Sequence, residues 1–234
     1  DSSTLNVIGQ QSNANAPFAL TAFTVNGNFG GSVFSPDGST LYSAFSSTAG
    51  TTSANTLLIS DPRSLAIKLG INLPEGVISK IVMSSDGTNA WALSASGILY
   101  LPLSTLYNYP ILMPESTVVF LAQDDCNPGI AQAGLRINNI GGGKLTFSVP
   151  GNVGAAMAVV ATTGVAPATV NFTMDPGRSG VIRTPGTNLY TGGGNANGTP
   201  ITVTLTSADA INVIPQIRVY MNYRDASQRG SVYP

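Results

Sequence analysis

Two segments of this chain read alike. Ser32-Val33-Phe34-Ser35-Pro36-Asp37-Gly38-Ser39-Thr40-Leu41-Tyr42-Ser43-Ala44 is echoed by Lys80-Ile81-Val82-Met83-Ser84-Ser85-Asp86-Gly87-Thr88-Asn89-Ala90-Trp91-Ala92-Leu93. The step from Asp37 to Asp86 is 49 residues. Short apolar strands on either side of an Asp-Gly turn, repeated at a period near this one, mark a propeller blade, a four-stranded unit that recurs around an axis. Only about two such units fit before the pattern changes near residue 115, whereas a closed propeller takes ~4–8 blades. The chain therefore reads as a piece of a larger architecture.

The strands predicted for the first part are Phe18–Val25, Gly31–Ser35, Thr40–Phe45, Thr56–Ser60, Ser64–Leu69, Val77–Met83, Asn89–Ala95 and Gly97–Leu103. They are short, rich in Val, Ile, Leu, Phe and Tyr, and separated by Asp-Gly, Asp-Pro and Ser/Gly turns. The polar stretches Gly9–Ala16 and Ser46–Ala54 read as loops.

Ser35-Pro36-Asp37-Gly38 followed by Leu41-Tyr42-Ser43 resembles the second-strand entry of the YVTN and lactonase-like bacterial propellers. The resemblance covers about residues 17–105. It implies antiparallel blades around a central channel, and in enzymatic members it implies metal-binding carboxylates and His on the channel loops. This chain contains no His, so those positions have no counterpart here.

Tyr109-Pro110-Ile111 and Met113-Pro114-Glu115 place two prolines in an extended stretch and predict a boundary. Beyond it the pattern becomes strictly alternating. Leu135 and Ile137, Leu145 and Phe147, Val170 and Phe172, Val203 and Leu205, and Ile217 and Val219 each occupy one phase of a period-2 segment. Thr202, Thr204 and Thr206 occupy the opposite phase. Such segments predict antiparallel sheets buried on one face, at the size of an immunoglobulin-like sandwich. Asn138-Asn139-Ile140-Gly141-Gly142-Gly143-Lys144-Leu145-Thr146-Phe147-Ser148-Val149 resembles BACON-type bacterial immunoglobulin-like modules, over about residues 117–225. That resemblance implies a module of a large secreted protein. The expected fold is all-β, with a partial propeller-like region of antiparallel sheets (residues 1–114) followed by an immunoglobulin-like β-sandwich (residues 115–234).

Charged residues make up 9% of the chain, against ~25% in ordinary soluble domains, and net charge is -1. Ser, Thr, Asn and Gly fill the deficit, a composition common in secreted all-β proteins. A near-neutral chain lacks the basic stripe that nucleic acid requires. No apolar run approaches the ~20 residues of a membrane-spanning helix. The chain opens Asp1-Ser2-Ser3, with neither Met nor a signal-like segment, and reads as a mature or trimmed piece. Cys126 has no second cysteine to pair with. It reads as a buried thiol, an intermolecular bridge or half of a bond to a segment beyond this chain.

Without His the usual general base, triad partner and commonest metal ligand are missing. Asp124-Asp125-Cys126-Asn127 is the densest acidic cluster, but adjacent carboxylates point different ways and seldom share one ion. Gly192-Gly193-Gly194 is followed by no Lys and no helix pattern, so it is no phosphate loop. Trp91, Tyr100, Tyr107 and Tyr109 read either as blade core or as a platform for sugar rings. Tyr190, Tyr220 and Tyr223 are the aromatics of the second part that suit a ligand platform. No catalytic residue, cofactor or metal is expected. The function expected is a structural or interaction segment of a secreted or cell-surface bacterial protein. A carbohydrate-binding module, and a fragment of a propeller enzyme whose active site lies outside this chain, are the alternatives. The partners expected are other domains of a parent protein or another copy of the chain, with carbohydrate as the alternative ligand.

Overall fold

The computed structural model describes residues 28–49, 52–64, 66–124, 131–151, 157–174, 182–183, 190–191 and 200–224. Within them the chain is all-β. Two compact units emerge. The first takes in the described residues up to Ile111, with Gly141–Gly143 and Ala210–Val213; the second takes in the rest.

In the first unit β1 (Asn28–Phe34), β2 (Leu41–Ala49), β3 (Thr52–Ser60) and β4 (Ile67–Asn72) form an antiparallel sheet in chain order. β5 (Val77–Met83), β6 (Ala90–Ser94) and β7 (Gly97–Leu101) form a second antiparallel sheet, again in chain order. A 3-10 helix, Leu103–Asn108, follows. Every residue from Thr56 to Ser60 in β3 is buried, so that strand is covered on both faces. Leu58 packs with Phe45, Ile67 and Val213 on one of them. Residues 211–213 run along β4: Val213 N–H donates to the Gly70 carbonyl (2.8 Å), and Asn72 N–H to the Ile211 carbonyl (2.9 Å). The two sheets approach so closely that a side chain at Gly30 in β1 would collide with the Val77 backbone of β5.

The stretch Ser46–Ala54, predicted as a loop, instead extends the β2–β3 hairpin, with pairs from Ser46↔Asn55 out to Ala49↔Thr52. Ser and Thr carry weak turn signals, but Thr also fits a pleated surface, and the paired backbone decides the outcome. Phe18–Val25 and Gly9–Ala16 lie outside the described residues.

In the second unit β8 (Leu112–Pro114), β9 (Val118–Asp124), β10 (Ala131–Asn139), β11 (Thr146–Ser148), β12 (Met157–Val160), β13 (Thr163–Val165), β14 (Ala168–Met174), β15 (Ile182–Arg183), β16 (Tyr190–Thr191), β17 (Ile201–Val203) and β18 (Ile217–Arg224) follow in turn. The larger sheets run β12-β14-β10-β8 and β17-β18-β9, and β11-β13 and β15-β16 are two-stranded. The proline-bearing stretch before Ser116 thus supplies a strand. Pro114, which lacks an N–H, sits on the edge strand β8, where no ladder donor is lost. All ten residues predicted for the core, from Leu135 to Val219, are buried, and Thr202, Thr204 and Thr206 are exposed. One pairing departs from the antiparallel expectation: β18 runs parallel to β9, from Arg218↔Val118 to Arg224↔Asp124. Hairpin logic does not reach this pair, because about 90 residues separate the two strands and no tight turn joins them.

Candidate interaction surface

The two Asp-Gly turns are built alike. In the first, Asp37 Oδ1 accepts from Ser35 Oγ (2.6 Å), Ser39 Oγ (2.9 Å) and Ser39 N–H (3.1 Å). In the second, Asp86 Oδ1 accepts from Ser84 Oγ (2.6 Å), Thr88 Oγ1 (2.8 Å) and Thr88 N–H (3.1 Å). Gly38 and Gly87 follow at φ +68° and +74°, the left-handed region that glycine enters without steric cost. The hydroxyl of Ser35 or Ser84, then the backbone N–H, hold each carboxyl down at about 2, from an ordinary 3.8. Both acids are committed to closing their turns and stay ionised, so neither is a general acid.

The second turn also positions an aromatic. Thr88 Oγ1 accepts from Asn89 Nδ2 (2.8 Å), and Asn89 Oδ1 accepts from the Tyr100 hydroxyl (2.6 Å). Tyr100 stands directly opposite Trp91, and Trp91 opposite Val82, in one row across β5, β6 and β7. The rings of Trp91 and Tyr100 are 6.0 Å apart and inclined at 43°. A second row pairs Leu93 with Ile98. This face is open: Ile98 is 75% exposed, Tyr100 53% and Trp91 40%, with Val82 and Leu93 also exposed. The opposite phase of β6 carries Ala90, Ala92 and Ser94, all buried. The strand therefore turns its small residues inward and its large ones outward.

Glu75 braces the far end of this sheet. It accepts from Ser96 Oγ (2.6 Å) and Ser94 Oγ (2.8 Å) at the β6–β7 turn, and those hydroxyls hold its carboxyl below the usual range. Tyr107 and Tyr109, on and just after the 3-10 helix, are exposed as well.

A second aromatic pair lies in the other unit. Phe120 in β9 stands opposite Tyr220 in β18, ring centroids 5.3 Å apart at 25°. Phe120 is 72% exposed and Tyr220 is half-buried. Arg218, two residues from Tyr220 and paired with Thr202, is exposed in the same phase. The side chains of Tyr190 and Tyr223 lie outside the described residues, as do Cys126 and the Gly192-Gly193-Gly194 run. The sequence singled out Trp91 and Tyr220 but missed Phe120, whose only signal was an aromatic on the outward phase of an apolar run.

The same unit holds a groove of about 720 Å³ walled by the hydroxyls of Thr146, Ser148, Thr163 and Thr206 beside Phe147 and Val165. The hydroxyls of Ser148, Thr206 and Thr146 are engaged. Ser148 Oγ and Thr206 Oγ1 are 2.6 Å apart, and Thr146 Oγ1 donates to Asp209 (2.5 Å). That bond, the Thr146 N–H and nearby Lys144 keep the Asp209 carboxyl low and ionised. Among the described residues, no three His, Cys, Asp or Glu side chains gather as a metal site, and no helix is long and apolar enough to cross a membrane.

No family model matches the chain, and no curated protein matches it. Among solved structures it is similar to a protein of unknown function from Porphyromonas gingivalis W83, at 13% identity over 78% of this chain and 90% of that chain, with a TM-score of 0.29.

Proposed function

We propose that this chain is a non-catalytic interaction segment of a larger secreted or cell-surface bacterial protein, with propeller-like blades in its first unit and a BACON-type immunoglobulin-like module in its second. The carrying observation is the open apolar face of Val82, Trp91, Leu93, Ile98 and Tyr100. Soluble proteins seldom leave such a patch contiguous unless it meets a partner. The blade reading is supported by the four-strand meander β1-β2-β3-β4 and by the matching turn at the start of the next sheet. In a ring of blades, each sheet covers its neighbour's face. The secreted setting is supported by the 9% charged residues.

The test is binding of an apolar dye such as anilinonaphthalene sulfonate, at submicromolar chain concentration, to the folded chain and to Ile98→Glu. Bright dye fluorescence that Ile98→Glu abolishes, with circular dichroism unchanged, is the result expected. Dye binding indifferent to that change, or turnover of glycoside or lactone substrates by the purified chain, overturns the reading.

A second reading, carbohydrate binding, is favoured by the stacked Phe120–Tyr220 pair with Arg218 and Thr202 on the same face. Flat aromatics offer an apolar platform, and the flanking donors suit hydroxyls. Calorimetric titration with soluble oligosaccharides tests it: binding that Phe120→Ala removes supports it, and no heat with any of them sinks it.

A further inference from the structure

We propose that the open face of the β5-β6-β7 sheet is self-complementary and docks a second copy of this chain through a two-fold axis. The inference rests on the interaction reading above and names the partner.

The face carries two parallel rows of different character. One is aromatic at its centre, with Val82, Trp91 and Tyr100; the other is aliphatic, with Leu93 and Ile98. A two-fold axis lying in the plane of contact, midway between the rows and across the strands, brings the aromatic row of each copy onto the aliphatic row of the other. Each contact is then made twice, as a closed symmetric dimer requires. A one-row shift would instead leave one apolar row over the polar turn at Ser84–Asn89.

Size points the same way. The five side chains expose on the order of 500 Å². A standard interface buries about 800 Å² per partner, with an apolar core inside a polar rim. The face therefore matches the core of one such interface and exceeds the footprint of a single sugar ring. Lys80 is the one charged side chain on β5, β6 and β7, so the face offers little to an ionic ligand.

Sedimentation equilibrium of the full chain, from submicromolar to submillimolar, tests the proposal. A reductant is included so that Cys126 cannot link copies. The wild-type chain is expected to move from one to two copies with rising concentration. Ile98→Glu and Tyr100→Glu, two exposed positions, are each expected to weaken association by about tenfold or more. Val160→Glu, an exposed change in the other unit, is expected to leave it alone. A wild-type chain that stays monomeric overturns the proposal without any variant having to fold, as does a dimer that survives both face variants. Dye binding separates the two levels. A monomer that binds dye through Ile98 leaves the interaction reading standing and removes the second copy as its partner. A monomer that binds none removes both.

Discussion

At the scale of single residues, the Asp-Gly turns carry the clearest physics. The unfolded chain binds protons on Asp37 and Asp86 near 3.8, and the folded chain only near 2. Their contribution to stability is therefore complete above the unfolded value and is lost as pH falls through the folded one. Carboxylate ¹³C shifts should show two side chains titrating with midpoints near 2. Midpoints at the ordinary value would mean that the hydroxyl networks do not form in solution. The two glycines of these turns also differ in a measurable way. A methyl at Gly38 meets open space, so Gly38→Ala costs only the left-handed backbone, about 1 kcal/mol. A methyl at Gly87 would in addition sit 2.9 Å from Pro36 Cδ of the first turn. Gly87→Ala is expected to cost about 2 kcal/mol or more in denaturant unfolding. Equal losses would show that the two turns do not touch.

At the scale of strands, period-2 alternation reports which phase is buried. Phe172 is fully buried on β14, so Phe172→Ala should cost roughly 3–5 kcal/mol. Thr204 stands exposed in the outward phase, and Thr204→Ala should stay within about 0.5 kcal/mol. Similar losses in the full chain's unfolding would mean the facing is wrong. This much of the fold was legible because alternation is local. The parallel pairing of β18 with β9 and the run of residues 211–213 along β4 were not, since they join strands distant in sequence and leave no periodic trace. The candidate site was half legible. Ala90-Trp91-Ala92-Leu93-Ser94 alternates cleanly, but alternation does not say which phase faces in. Here the small residues Ala90, Ala92 and Ser94 are the buried phase, and Trp91 and Leu93 are turned outward.

At the scale of the molecule, the central claim is that the outer face of β5-β6-β7 is open in the single chain and covered in its working state. The chain has one tryptophan, and Trp91 stands in the middle of that face. Its fluorescence therefore reports on the face alone. Acrylamide quenching of the full chain should be efficient at submicromolar concentration and fall as concentration rises, with the emission moving to the blue. The same series in Ile98→Glu should stay quenchable throughout. Emission that is already blue and protected at the lowest concentration would contradict the account, because it would place Trp91 in a core rather than on a surface awaiting its partner.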